Sequence, residues 1–145
     1  MTAAAMFAAV YAAGHQVGDY WVQTRGQELA KGLPGWAGRR ACAAHVATYT
    51  LTLAACLALA GWQLHMPVNP VRAAAGLAVS ALTHYAADQR RPPERLAEML
   101  GATVPGKGEY WRAGTGMATG AAHLDQAWHW LWLFAAALIT AGGLS

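Results

Sequence analysis

The sequence predicts an all-α fold: a four-helix transmembrane bundle with a short amphipathic helix and a Gly-rich segment in the loop before the last helix. Three observations predict it. Hydrophobic residues make up 56% of the 145 residues and charged residues only 12%, about half the charged share of a typical soluble domain. No Asp, Glu, Lys or Arg occurs in the stretches Met1–Gly18, Ala41–Val71, Ala73–Ala87 and Gln126–Ser145. The polar residues that enter or border those stretches are His and Asp at helical spacing, as in His15 and Asp19 of "GHQVGDYWVQ". Positions i and i+4 share one helix face, one turn apart.

Each charge-free stretch supplies most or all of the roughly 20 residues that a spanning helix needs. The spans fall at about 3–22, 43–63, 71–88 and 124–143 of a single domain, 1–145. Their alanine content makes them weakly hydrophobic, and a soluble four-helix bundle is the rival reading. The N-terminus lacks the positive region of a cleavable signal. Cys42 and Cys56 fall on one helix. At about 1.5 Å rise per residue they lie roughly 21 Å apart, too far for a disulfide. A net charge of +3, scattered along the chain, points to no nucleic-acid partner.

The connections carry nearly all the charge. Loop one, 24–40, holds Arg25, Lys31, Arg39 and Arg40 against Glu28. The second connection, "QLHMPVNP", has no basic residue before Arg72. Loop three, 89–122, holds Arg90, Arg91, Arg95, Lys107 and Arg112. By the positive-inside rule, loops one and three are cytoplasmic and both termini lie outside the inner membrane. Within loop three, Pro93 is suited to start a short helix and Gly101 to end it. The remainder, "ATVPGKGEYWRAGTGMATG", reads as irregular, and "GKGEYW" lacks the spacing of a phosphate loop. Trp62 suits the outer interface, Trp36 and Trp111 the inner one, and Trp128, Trp130 and Trp132 an interfacial belt in contact with lipid.

His15–Asp19, His84–Asp88 and Asp125–His129 are all His and Asp four residues apart, and they use every Asp in the chain. Random placement predicts about a quarter of one such pair. His45 adds a fourth helix. Because the spans alternate in direction, His15, Asp19, His45, His84, Asp88, Asp125 and His129 all fall in one layer at the cytoplasmic end. A central charged residue costs about 2.5–3.5 kcal/mol to insert, so something must neutralise the layer. Hydrogen bonding between His and Asp within each helix is the bland solution. A divalent cation is the other: four imidazoles and three carboxylates suit zinc, manganese or iron, as one ion or two. Asp19, Asp88 and Asp125 are then the catalytic candidates, with one carboxylate left free as a general base.

Gln23 extends the face of His15 and Asp19, and Gln126 adjoins Asp125; both can bind substrate or simply pack. Arg90 and Arg91, just past Asp88, are best placed for a substrate phosphate, while the other arginines signal topology and meet anionic headgroups. Cys42 reads as a buried free thiol, Tyr49 as a packing residue with a satisfied hydroxyl, and His65 and His123 as solvated or interfacial.

Through "GHQVGDYWVQ", "KGLPGWAGRRACAAHVATYT", "SALTHYAADQR" and "LDQAWH", the chain resembles domain-of-unknown-function family 3307, small multi-pass membrane proteins of bacteria and phages, in its actinobacterial branch. The resemblance covers nearly the whole chain. The family pattern falls on His15, Asp19, Gln23, Lys31, His45, His84, Asp88, Asp125, Gln126 and His129. The resemblance implies a multi-pass membrane protein and supplies no activity. Some members are labelled transcriptional regulators, yet no helix-turn-helix pattern or basic recognition helix is present here.

The leading expectation is a membrane-embedded, metal-dependent hydrolase acting on an anionic, lipid-like substrate with a phosphate or acyl group. A non-catalytic metal-binding or transport protein is the second reading. A structural or interaction protein is the third, its polar layer serving only to set helix packing. Oligomeric state is not legible.

Overall fold

The computed structural model describes residues 2–114 and 119–142, with Arg91 described by its backbone alone. The described residues are helical, with no strand among them. Helix α1 (Ala3–Val17) runs on into a π-helical turn (Gly18–Val22), followed by α2 (Arg25–Ala30), α3 (Gly35–Gln63), α4 (Pro70–Asp88), α5 (Arg91–Leu100), α6 (Lys107–Arg112) and α7 (Gly120–Ala141).

Local chemistry sets the starts. The Thr24 hydroxyl accepts from Gln27 N–H, and the Gln27 side chain accepts from Thr24 N–H, a capping box that opens α2. The Asn69 carboxamide oxygen accepts from Val71 and Arg72 N–H at 3.0 and 3.1 Å, just ahead of Pro70 in the first turn of α4. Thr119 caps α7 through Ala122 N–H at 3.0 Å.

Helices α1, α3, α4 and α7 form a closed ring of neighbours, α1 touching α3 and α7, and α4 touching α3 and α7. Two layers fill the ring. The layer toward the termini is apolar and built from Phe7, Tyr11, Leu53, Leu57, Met66 and Leu133. Its polar atoms are internally paired, as in Tyr11 Oη to Thr140 Oγ1 at 3.0 Å. The opposite layer holds His15, His45, His84, Asp88 and His129, all buried. Helices α2, α5 and α6 pack around that polar end, α2 on α3 and both α5 and α6 on α7.

Three features differ from expectation. The second long helix starts at Gly35, so the segment read as loop one contains α2 and the first two turns of α3. Arg39 and Arg40 are exposed there, so their charges do not interrupt the helix. The amphipathic helix spans Arg91–Leu100 as its prolines and Gly101 suggest, but the Gly-rich remainder also forms α6, on a left-handed Gly106 at φ 83°. Third, Trp128 and Trp132 share one face of α7, their rings 5.9 Å apart, and Trp128 donates its indole N–H to Thr83 O at 3.0 Å. Trp128 therefore joins α7 to α4 while remaining partly exposed.

Among the described residues, α3 alone is long and apolar enough to cross a bilayer by length and composition. The other three long helices are shorter, at 15, 19 and 22 residues.

Candidate metal centre

The polar layer depends first on how closely α1 approaches α3. A Cβ at Gly14 would stand 2.6 Å from Leu53 Cδ2, and one at Gly18 would stand 2.8 Å from Tyr49 Cδ2. Real Cβ atoms do not come that near, so the Gly-x3-Gly stripe lets the backbone of α1 settle against α3. This brings His15 and Asp19, on the same turns, up to His45. The chain then departs from α-helical geometry: Gln23 N–H reaches back five residues to Gly18 O at 3.0 Å. Single π-turns of this kind are frequent at functional sites. Gln23 ends the helix, its ψ of 126° turning the following chain away, and its side-chain nitrogen is buried without a partner among the described residues.

Four atoms from two helices and the π-turn form a small cage. His45 Nε2 and His84 Nε2 are 3.0 Å apart. Asp19 Oδ1 lies 3.4 Å from each of them. Asp88 Oδ2 lies 3.5 Å from His45 Nε2 and 3.4 Å from His84 Nε2. Asp19 and Asp88 each close a triangle on the same pair of imidazole nitrogens, and the two triangles share the His45–His84 edge. A tetrahedral ion with bonds of about 2.0–2.1 Å has edges of about 3.3–3.4 Å. An octahedral ion with bonds of similar length has edges of about 2.9–3.0 Å. The four edges to carboxylate oxygens, at 3.4–3.5 Å, fit the first geometry.

Proton counting leads to the same place. One proton can link the two imidazole nitrogens, and it then serves neither carboxylate. Asp19 Oδ1 and Asp88 Oδ2 are buried and have no hydrogen-bond donor among the described residues. Buried polar atoms without partners are costly. The buried His45, His84 and Asp88 form a group that can hold a metal ion.

The remaining predicted ligands stand beside the cage. His15 Nδ1 is 3.6 Å from Asp19 Oδ2, so the two oxygens of Asp19 face different imidazoles. His15, Asp19 and His84 form a second group of metal-ligating types. His129 Nδ1 donates to Asp125 O at 2.8 Å, which fixes the tautomer and leaves Nε2 bare. That nitrogen is buried without a partner among the described residues. The His129 ring stacks on His15, with centroids 5.1 Å apart, and meets His84 edge-on at 4.4 Å. Asp125 Oδ2 is 3.5 Å from His129 Nδ1; its carboxylate belongs to neither group and is 32% exposed. Gln126 is half-buried on α7 and contributes no cage atom. The Arg91 side chain lies outside the described residues, and Arg90 is exposed at the α4–α5 corner.

Other residues behave as their surroundings dictate. The Cys42 thiol points to Tyr85 O at 3.8 Å, away from the cage, and both cysteines are free. Tyr49 Oη pairs with Ser80 Oγ at 3.2 Å while its ring covers His84 at a centroid distance of 3.9 Å. His123 accepts or donates at Tyr110 Oη, 3.1 Å away and exposed.

A cavity of about 610 Å³ opens above the cage, with Asp88 and Asp125 among its lining residues. Lys31 stands between the two. Its ammonium donates to Asp88 Oδ1 at 2.6 Å, which turns Oδ2 toward the cage. Gln89 Nε2 holds the same residue's carbonyl at 2.9 Å. Lys31 is thus a positioning residue for Asp88, and outer contacts of this kind are worth about 10–100-fold in metal affinity. Lys31→Met is expected to weaken zinc binding by that factor in a competition titration against a chelator, with helicity unchanged by circular dichroism. Unaltered affinity would remove Lys31 from the centre. Residue types and spacing do not assign Lys31 this role, because its partner is 57 positions away. The Gly14/Gly18 stripe, by contrast, is visible in "GHQVG".

Comparison with protein-family models, with curated proteins and with solved structures finds no match for this chain.

Proposed function

We propose that this chain is a multi-pass membrane protein, of the kind that family 3307 represents, with a divalent metal at the cytoplasmic end of its helix bundle. In this reading it hydrolyses a phosphate- or acyl-containing lipid-like substrate there. The observation that carries the metal reading is the cage: two imidazole nitrogens 3.0 Å apart, each 3.4–3.5 Å from two buried carboxylate oxygens that lack a donor among the described residues. The imidazole and carboxylate donors suit zinc, manganese or iron, and zinc is the ion to test first.

Several features support the bilayer. The α1–π segment of 20 residues, α4 of 19 and α7 of 22 are about 28–33 Å long at 1.5 Å per residue, close to the roughly 30 Å of a hydrocarbon core. Their outer faces carry exposed apolar residues, including Val71 at 77%, Leu82 at 72% and Leu131 at 61%. Such a continuous apolar exterior needs a lipid or protein partner. Trp62 is exposed at one end of α3 and Trp36 at the other, where interfacial tryptophans belong. The basic residues of the two connections beside the cage support a cytoplasmic orientation for it.

A divalent ion in the cage would supply an acidified water and a polarised oxygen on the substrate. The chain's own contribution is a carboxylate outside the cage. Asp125 lines the cavity, is partly open to it, and can take a proton from water at its side-chain oxygens. Asp125→Asn is expected to leave zinc content at the wild-type level and to lower turnover by about 100-fold or more. Short-chain phosphatidate and p-nitrophenyl phosphate are suitable probe substrates, with zinc counted by mass spectrometry on the same samples. Loss of zinc in this variant would make Asp125 a ligand and not a base.

A second reading is favoured by the number of donor residues. His15, Asp19, His45, His84 and Asp88 are enough to saturate an ion, which is the pattern of structural zinc, whereas catalytic zinc keeps one position open. A full complement of zinc with no turnover on any phosphoester or ester probe would select this non-catalytic reading.

A further inference from the structure

We infer that the cavity above the cage is a binding site for a phosphate ester, held by Lys31, Arg90 and Arg112; this rests on the metal-centre reading above. The three cations reach it from three separate segments. Lys31 closes α2, Arg90 sits at the α4–α5 corner, and Arg112 ends α6. Each is braced. Lys31 is held by Asp88 at 2.6 Å, and Arg112 by Glu98 at 2.6 Å. Arg90 lies across the backbone of Gly32, where a Cβ would come within 3.1 Å of its Nε.

The corner that aims Arg90 is unusual. Its φ is +61°, one of two positive values among non-glycine residues described. A non-glycine residue in that region costs of order 1 kcal/mol and persists where the surroundings impose it. Here the turn places a guanidinium over the mouth immediately after Asp88. Trp111 adds a flat apolar wall.

Donor chemistry decides the ligand class. The three cations are outweighed by Asp88, Glu94 and Asp125 in the lining, by Glu98 on Arg112 and by Asp19 in the cage. A divalent ion in the cage cancels that excess. An anion can then enter, and arginine guanidinium with lysine ammonium is a set that recognises phosphate oxygens. The volume, about 610 Å³, lies in the range of small-ligand sites and exceeds what a bare phosphate fills. The ligand therefore extends beyond its phosphate, either as a soluble phosphoester or as a lipid headgroup. Coupling to the metal is reciprocal: zinc tightens the anion and the anion tightens zinc.

The test uses the full chain in detergent micelles, with and without zinc. Inorganic phosphate is titrated by calorimetry, and zinc content is counted on every sample. The zinc-loaded protein is expected to bind phosphate at least tenfold more tightly than the zinc-free one. The double variant Arg90→Ala/Arg112→Ala is expected to lose at least tenfold in phosphate affinity at full zinc occupancy, and Arg90→Lys/Arg112→Lys to recover most of it. Competition then separates the sources. Glycerol 3-phosphate displacing phosphate as well as dihexanoyl phosphatidate does supports a soluble phosphoester. A tenfold advantage for the phosphatidate supports a lipid headgroup. Phosphate affinity that is equal in the wild type and the double alanine variant, both holding zinc, overturns the inference and leaves the metal centre intact. Absence of zinc from the wild type overturns the metal reading, and the expected zinc dependence of phosphate binding falls with it.

Discussion

His84→Ala is expected to empty the centre. His84 Nε2 stands on three of the five cage edges, 3.0 Å from His45 Nε2 and 3.4 Å from both Asp19 and Asp88. His84 belongs to both groups of metal-ligating residues, so its removal takes a donor from each. Outer contacts alone are worth about 10–100-fold in affinity, so loss of a direct donor is expected to exceed about 100-fold. Zinc per purified chain is expected to fall from near one to below about one tenth. Stability carries a second readout. An ion present at 100 times its dissociation constant stabilises the fold by about 2.7 kcal/mol, and this zinc-dependent gain in melting temperature is expected to vanish in the variant. Asp88→Asn separates charge from shape, since the amide keeps the volume and loses the anion. A variant that keeps full zinc without His84 would return the cluster to a set of internal hydrogen bonds.

The identity of that cluster was legible before any coordinates, and its geometry was not. Three His–Asp pairs at i, i+4, with His45 on a fourth helix, converge on one layer as soon as neighbouring helices run antiparallel. Spacing along one helix says which residues share a face. It does not say how that helix is rotated against its neighbours. The rotation of α7 is what sets Asp125 beside the cavity while Asp19 and Asp88 close on the cage, and it depends on packing such as the Trp128 bond to Thr83 O. The π-turn at Gly18–Val22 also has no signature in hydrophobic period. Boundaries failed for a different reason. Charged residues mark where a helix leaves the apolar layer, not where it stops, and α3 carries Arg39 and Arg40 on its exposed side well before Ala43.

Filling the groove between α1 and α3 is expected to damage fold and centre together, because the same two glycines control both. At Gly18 an added Cβ would press on the Tyr49 ring, 2.8 Å away. Tyr49 has nowhere to retreat: its hydroxyl is tied to Ser80 and its ring already lies on His84 at 3.9 Å. At Gly14 the pressure falls on Leu53, which is fully buried. Overpacking of this kind costs about 1–3 kcal/mol at each site. Neighbouring sites on one interface do not add simply, so Gly14→Ala/Gly18→Ala is expected to cost somewhat less than twice that. The melting temperature in detergent should fall accordingly. Zinc affinity should fall with it at temperatures where the variant is still folded, because α1 moving off α3 carries Asp19 away from His45 and His84. Gly26→Ala is the control. It lies in α2, where an added Cβ meets nothing within 4 Å, and it is expected to leave both measurements at the wild-type value. If the double variant melts lower yet binds zinc as tightly as the wild type, the approach of α1 serves packing alone, and Asp19 drops out of the cage.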